Sequence, residues 1–197
     1  MCKEKHFIET MRILLIDFYD SFTFNLAHYI QPLCQQVDVV RDIDVVIERL
    51  NQYDKIILSP GPGLPSDTKC MFNVLDSFAG KKPILGVCLG MQGIAQFLGG
   101  DLIQKSVILH GKPVQISVLK NKVLFEHVPT PFQGGLYHSW QVELPQVNQS
   151  IITARDEFGV IMAIEDPSQK LYGVQFHPES ILTEYGRKIL ENFVKSN

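Results

Sequence analysis

The sequence predicts an α/β fold: an open, mostly parallel sheet with helices on both faces, to which the second half of the chain adds antiparallel strands. Three observations carry this. In the first hundred residues, short apolar runs alternate with stretches of helical periodicity. The runs are continuously apolar, as strands buried on both faces are. After Gly100 the helical stretches stop, and short strand candidates follow one another across turn signals.

Taken in order, Arg12–Phe18 reads as the first buried strand, and Ser21–Ile30 sets Phe22, Leu26, Tyr29 and Ile30 on one helical face. Val37–Val40 is a second strand, and Val45–Leu50 suits a short helix. Lys55–Leu58 is a third strand, stopped by Ser59-Pro60-Gly61-Pro62-Gly63, which can continue neither structure. A helix over Thr68–Phe78 leads past Gly80 to a strand at Pro83–Val87. The helical stretch Leu89–Leu98 is then closed by Gly99-Gly100. Right-handed crossovers make this half doubly wound. Beyond it, Val114–Leu119, Val123–Phe125, Gln141–Leu144, Ile151–Ala154, Val160–Ile164 and Leu171–Phe176 are strand candidates. Turn signals fall at Asn121-Lys122, Gly134-Gly135, Phe158-Gly159 and Asp166-Pro167, and Glu184–Val194 is a final helix. No linker or repeat divides the chain, so residues 11–197 read as a single domain behind a short extension, residues 1–10.

Charge narrows the function. The 18 basic and 21 acidic residues leave a net charge of −3, which makes no electrostatic case for nucleic acid or an anionic membrane. No apolar run reaches the roughly 18 residues a bilayer span needs. The opening MCKEKHFIET mixes charged with apolar residues and lacks the apolar region of a secretory signal. Cys2, Cys34, Cys70 and Cys88 are scattered with no C-x-x-C pair, which argues against zinc and against a disulfide framework. A reduced, cytoplasmic setting follows, with no metal or cofactor expected.

The sharpest motif is Gly86-Val87-Cys88-Leu89-Gly90, between an apolar strand and a helix. It has the pattern of a nucleophile elbow, in which flanking glycines permit a tight, strained turn. The cysteine then projects at the C-terminal edge of the sheet, where open α/β folds bind ligands. The N–H groups of the following helix favour its thiolate. Cys2, Cys34 and Cys70 have no such setting. A thiol nucleophile needs a base. Of six histidines, His177 ends an apolar strand, Pro178 keeps it extended, and Glu179 can orient its ring. By itself His-Pro-Glu also describes a solvated loop. Likewise, Ser59–Gly63 is either a rigid turn or a source of backbone N–H groups which, with that of Leu89, form an oxyanion hole. It is not a phosphate loop, since Gly-Lys-Ser/Thr is absent.

These three elements in this order resemble the class I glutamine amidotransferases. Within them, the chain is most similar to the glutaminase subunits (component II) of anthranilate synthase and aminodeoxychorismate synthase. The matching stretches are Leu15–Leu26 (LIDFYDSFTFNL), Leu58–Gly63 (LSPGPG), Gly86–Gln92 (GVCLGMQ), Tyr137-His138-Ser139 and Gly173–Ser180 (GVQFHPES), so the resemblance covers nearly all but the first ten residues. It implies a flavodoxin-like sheet and a Cys88, His177, Glu179 triad that hydrolyses L-glutamine. It further implies oxyanion N–H groups from Gly61 and Leu89, and a glutamine pocket lined by Gly61, Gly63, Gln92, Ser139 and Trp140. The ammonia would pass to a chorismate-using synthase on another chain, since 197 residues leave no room for one here. Tryptophan and folate synthesis are both open at this point. So are a stand-alone cysteine hydrolase of γ-glutamyl compounds and a non-catalytic subunit. Three positions depart from the family pattern: Phe18, where asparagine is common, and Leu136 and Trp140 around Tyr137-His138-Ser139, where arginine and leucine are common.

Overall fold

A computed structural model describes residues 10–104, 111–120 and 123–196. Residues 1–9, His110 and the predicted Asn121-Lys122 turn lie outside the described residues. In chain order the elements are β1 (Arg12–Asp17), α1 (Thr23–Ile30), β2 (Gln36–Arg41), β3 (Lys55–Leu58), α2 (Met71–Phe78), β4 (Ile84–Val87), α3 (Leu89–Phe97), β5 (Asp101–Gln104), β6 (Lys112–Val118), β7 (Phe132–Leu136), β8 (Trp140–Glu143), β9 (Ile152–Asp156), β10 (Ile161–Asp166), β11 (Leu171–Val174) and α4 (Gly186–Lys195). Among the described residues, nine strands form one sheet in the order β2-β1-β3-β4-β11-β10-β9-β6-β7, and β5 pairs with β8 in a separate ribbon.

Neighbours from β2 to β11 run parallel, and those from β11 to β7 run antiparallel. Both faces of the parallel half are covered. Ile13 and Leu15 of β1 join Leu26, Ile30, Ile189, Leu190 and Phe193 of α1 and α4 in one core, while Leu14 and Ile16 join Val74, Leu75, Met91 and Ile94 of α2 and α3 in the other. Because successive side chains point to opposite faces, a strand buried on both sides has no polar position between its ends, which is why the interiors of β1, β3 and β4 read as continuous apolar segments.

Three expectations differ in the structure. Val45–Leu50 is not an α-helix: 3₁₀ turns at Asp42–Asp44 and Ile47–Gln52 flank Val45 and Val46, which are extended. Adjacent β-branched residues lose rotamer freedom in a helix, and within Ile47–Gln52 only Leu50 is buried. Val123–Phe125 is a turn, not a strand. Its apolar content reflects burial, for Leu124 and Phe125 are fully buried. Side chains take the place of a partner strand: the Leu124 N–H donates to Glu165 Oε2, and Asn192 Nδ2 donates to the carbonyls of Leu124 and Glu126. Gly134-Gly135 is not a turn but lies inside β7, and a Cβ on Gly134 would fall 2.3 Å from Ile116 Cδ1. Glycine in a strand here marks close approach of its neighbours. The sequence reading also lacks β5 and β7, whose patterns are short and polar or glycine-bearing.

One buried cation secures the C-terminal helix. Lys55, 2% exposed at the start of β3, donates from Nζ to the Phe193 carbonyl at 2.9 Å, to the Ser196 carbonyl and to Ser196 Oγ. It thereby adds a donor to the Phe193 carbonyl, which also accepts from the Ser196 N–H and Oγ, and supplies one to the Ser196 carbonyl just past the helix end. Burial pulls its amine down to about 8, with Lys170 adding to this and Asp54 opposing it. Between about 8 and the ordinary 10.5, the unfolded chain keeps a proton that the native state has released, so this group makes stability rise with pH there. Lys55→Met is expected to lower stability at neutral pH by about 1–2 kcal/mol, because the Ser196 carbonyl and hydroxyl lose the Lys55 donor and the Phe193 carbonyl loses one of its donors. Urea unfolding followed by circular dichroism measures it.

Candidate active site

Cys88 sits in the turn between β4 and α3 with φ 52° and ψ −102°, a conformation costly for any residue with a Cβ. The flanking glycines make the turn fit. A Cβ on Gly86 would lie 2.3 Å from the Gly90 carbonyl carbon, and one on Gly90 would lie 2.4 Å from the Leu58 carbonyl oxygen. The Cys88 N–H donates to the Val174 carbonyl at 2.8 Å, which ties the turn to the end of β11. Because α3 begins at Leu89, the positive end of its dipole adjoins the sulfur.

β11 leads to His177, the candidate base. His177 follows three residues after its end, and its backbone is pinned on both sides. Its N–H donates to the Gly135 carbonyl at 3.1 Å, and its carbonyl accepts from the Ser180 N–H and from Thr183 Oγ1. Gly186, at the start of α4, lets that helix seat on the segment, since a Cβ there would fall 1.9 Å from the Pro178 oxygen. His177 and Glu179 are 2% and 3% exposed, and Nδ1 donates to Glu179 Oε1 at 2.6 Å. That bond fixes the ring so that Nε2 is the free nitrogen. Nε2 is buried and takes no partner of full hydrogen-bond geometry among the described residues. Phe22 and Tyr137 meet the imidazole ring at angles of 66°, with centroids 5.4 and 4.8 Å away. Burial pulls the His177 pKa down, but interactions with Cys88 and Glu179 outweigh it and push it up to about 10. The site therefore favours an imidazolium beside the sulfur.

The other described cysteines are unsuited to attack. Burial holds the Cys34 thiol up at about 11. Burial first, and then the Asp42 carboxylate, raises Cys70 further. Cys2 lies outside the described residues.

Gly61 packs into the same corner, where a Cβ would lie 2.6 Å from Leu89 Cδ2 and 2.7 Å from Phe18 Cβ. Phe18, one of the departures, is thus a buried wall of this loop, and its N–H donates to Ser59 Oγ at 2.9 Å. Gly63 turns at φ 74°, one step farther out. Gln92, on α3, is buried near Cys88: its Nε2 donates to Gln175 Oε1 at 3.4 Å, and Gln175 Nε2 donates to Cys88 Sγ at 3.6 Å. Ser139 and Trp140 are half-buried and follow Tyr137 in the chain. No hydrogen bond or ring contact among the described residues joins either to Cys88 or His177. The structure thus brings Cys88, His177, Glu179, Gly61, Leu89 and Gln92 to one corner and leaves Gly63, Ser139 and Trp140 at its margin. The sequence reading gives no role to Phe22, Tyr137 or Gln175. Gln175 had a signal, as a lone polar residue within the apolar end of a strand.

The family model described as glutamine amidotransferase class-I matches residues 14–197. The chain is 42% identical over 186 residues to the anthranilate synthase component 2 of Lactococcus lactis, covering 92% of this chain and 93% of that protein. It is 40% identical over 188 residues to the aminodeoxychorismate/anthranilate synthase component 2 of Bacillus subtilis, covering 93% and 96%. Its fold is similar to that of a glutamine amidotransferase of Thermotoga maritima, with a TM-score of 0.74 at 17% identity over 94% of this chain and 95% of that one.

Proposed function

The chain belongs to the class-I glutamine amidotransferases, and on that premise we propose that it is the glutaminase subunit of a chorismate-using synthase, acting through Cys88, His177 and Glu179. The observation that carries this is the strained, buried Cys88 coupled to a His177–Glu179 pair. The Cys88 thiolate adds to the side-chain carbonyl carbon of L-glutamine, and the carbonyl electrons move to oxygen. The N–H groups of Gly61 and Leu89 take that charge. The His177 imidazolium gives its Nε2 proton to the amide nitrogen, ammonia leaves, and a glutamyl thioester remains. Water then attacks the thioester, yielding a proton to Nε2, and glutamate departs as the thiolate returns. In this reading Gln92, buried beside Cys88, binds the substrate, and Gly63, Ser139 and Trp140 line the rim of its pocket.

The ammonia is consumed by a synthase on a partner chain. The Lactococcus lactis relative's name supports anthranilate as the product. The Bacillus subtilis relative, named for both reactions, supports a second reading in which one glutaminase serves both synthases. No helix among the described residues is long and apolar enough to cross a membrane. The scattered cysteines, with no C-x-x-C pair, support a reduced, cytoplasmic setting as part of this reading. The test is co-purification with each candidate synthase, assaying glutamine-dependent anthranilate and aminodeoxychorismate formation in parallel. Anthranilate formation with its synthase is expected, together with faster glutamine turnover on docking. Glutamine turnover that neither synthase alters, with no product formed, would favour a stand-alone hydrolase instead.

A further inference from the structure

Gln175 is a fully buried polar side chain in direct contact with the nucleophile. Its placement follows from strand geometry. Gly173 faces α3, since a Cβ there would lie 2.8 Å from Met91 Cγ, whereas Val174 and Phe176 enter the core on the opposite face. Two residues after Gly173, Gln175 points to the α3 side as well. Its N–H donates to the Met162 carbonyl at 2.9 Å, and Cys88 N–H donates to the adjoining Val174 carbonyl, so both backbones are fixed relative to each other.

A carboxamide has its acceptor and its donors at opposite ends. Gln92 Nε2 occupies the acceptor end at 3.4 Å, which leaves the Gln175 donors aimed at Cys88 Sγ, 3.6 Å away. A thiol can receive such a bond weakly. A thiolate receives it strongly, because hydrogen bonds to a charged acceptor are about twice as strong as neutral ones. In a pocket this dry, the amide is also the sulfur's substitute for water. We propose that Gln175 is a positioning residue for the nucleophile: its amide, clamped by Gln92, donates to the Cys88 thiolate and holds the sulfur in line for attack. This rests on the glutaminase reading for its purpose but not for its geometry. It also gives Gln92 a second task, so that the residue placed to meet substrate and the amide that steadies the sulfur form one chain.

The test reads the thiol without glutamine. In the full-length protein, alkylation of Cys88 by iodoacetamide is followed against pH by mass spectrometry of the labelled peptide. Gln175→Leu keeps the volume and removes the donor, and is expected to slow alkylation at neutral pH about tenfold and to move the pH–rate curve to more alkaline values. Gln175→Glu, which sets a carboxylate beside the sulfur, should move it further. Gln92→Leu frees the Gln175 amide and should move it part of the way while raising KM for glutamine. If Gln175→Leu does not fold, the Gln175→Glu and Gln92→Leu curves decide. In each folded variant, a curve superimposed on that of the wild type would overturn the proposal, even if glutamine turnover fell. Should the wild type fail to hydrolyse glutamine while its variants show the shifts, the positioning role stands and the glutaminase reading fails.

Discussion

Replacing Cys88 is expected to abolish glutamine hydrolysis and, in one of two variants, to leave a firmer protein than the other. Cys88→Ala and Cys88→Gly both lack the nucleophile, and each should lose turnover by about 10⁴-fold or more, measured as glutamate release with the synthase present. Their stabilities separate them. In ordinary structure glycine is about 0.5–1 kcal/mol less stable than alanine, because its unfolded chain has more freedom to lose. At φ 52° and ψ −102° the alanine Cβ carries a strain of about 1–3 kcal/mol that glycine does not. Here the order is therefore expected to reverse, with Cys88→Gly about 1 kcal/mol more stable than Cys88→Ala in urea unfolding. Wild-type turnover in either variant would sink the nucleophile assignment. The ordinary stability order would show that the turn relaxes at no cost.

Glu179→Gln comes next in size. The amide keeps the shape but no longer accepts from Nδ1 as a carboxylate, and it offers no charge to an imidazolium. A fall in kcat of about 10⁴-fold is expected, on the scale of neutralising the third member of a comparable triad. The pH dependence gives a sharper check. His177 lies at about 10 against an ordinary 6.5, so in the native state it holds a proton that the unfolded chain loses near 6.5. Its contribution to stability is complete below 6.5 and disappears as pH rises through about 10. Without the Glu179 charge and hydrogen bond, burial regains ground and the imidazolium is lost at lower pH. Stability curves of the variant and the wild type from pH 6 to 10 should then converge at the alkaline end, and the alkaline limb of the remaining activity should move down.

The parallel half of the fold was legible because its strands are buried on both sides, a condition that leaves an unmistakable apolar run at Arg12–Asp17, Lys55–Leu58 and Ile84–Val87. The antiparallel half was less so. Val123–Phe125 is apolar because it fills the core, yet Glu165 and Asn192 satisfy its backbone from a distance that no local pattern records. Gly134 and Gly135 have the composition of a turn, and only the approach of Ile116 and of the His177 segment explains them inside a strand. For the site, the elbow glycines and Glu179 could be read because their roles are set within a few residues. Gln175 stood out only as a lone polar residue in an apolar run, and its contacts could not be read, for they are with Gln92 and Cys88, 83 and 87 positions away.

The place of β11 between β4 and β10 has a bearing on how the enzyme comes into being. The strand that leads to His177 is the last in chain order of the eleven among the described residues, yet it sits fifth of nine in the sheet, next to the strand that leads to Cys88. Closing that gap joins residues 87 apart, the kind of long-range pairing that comes slowly in folding. A ribosome-bound chain that has emerged only through α3 lacks both His177 and the Val174 carbonyl that ties down the Cys88 turn. Reactivity therefore switches on as the central strand inserts, and regain of glutamine turnover after dilution from urea should time that insertion, lagging behind the helical signal.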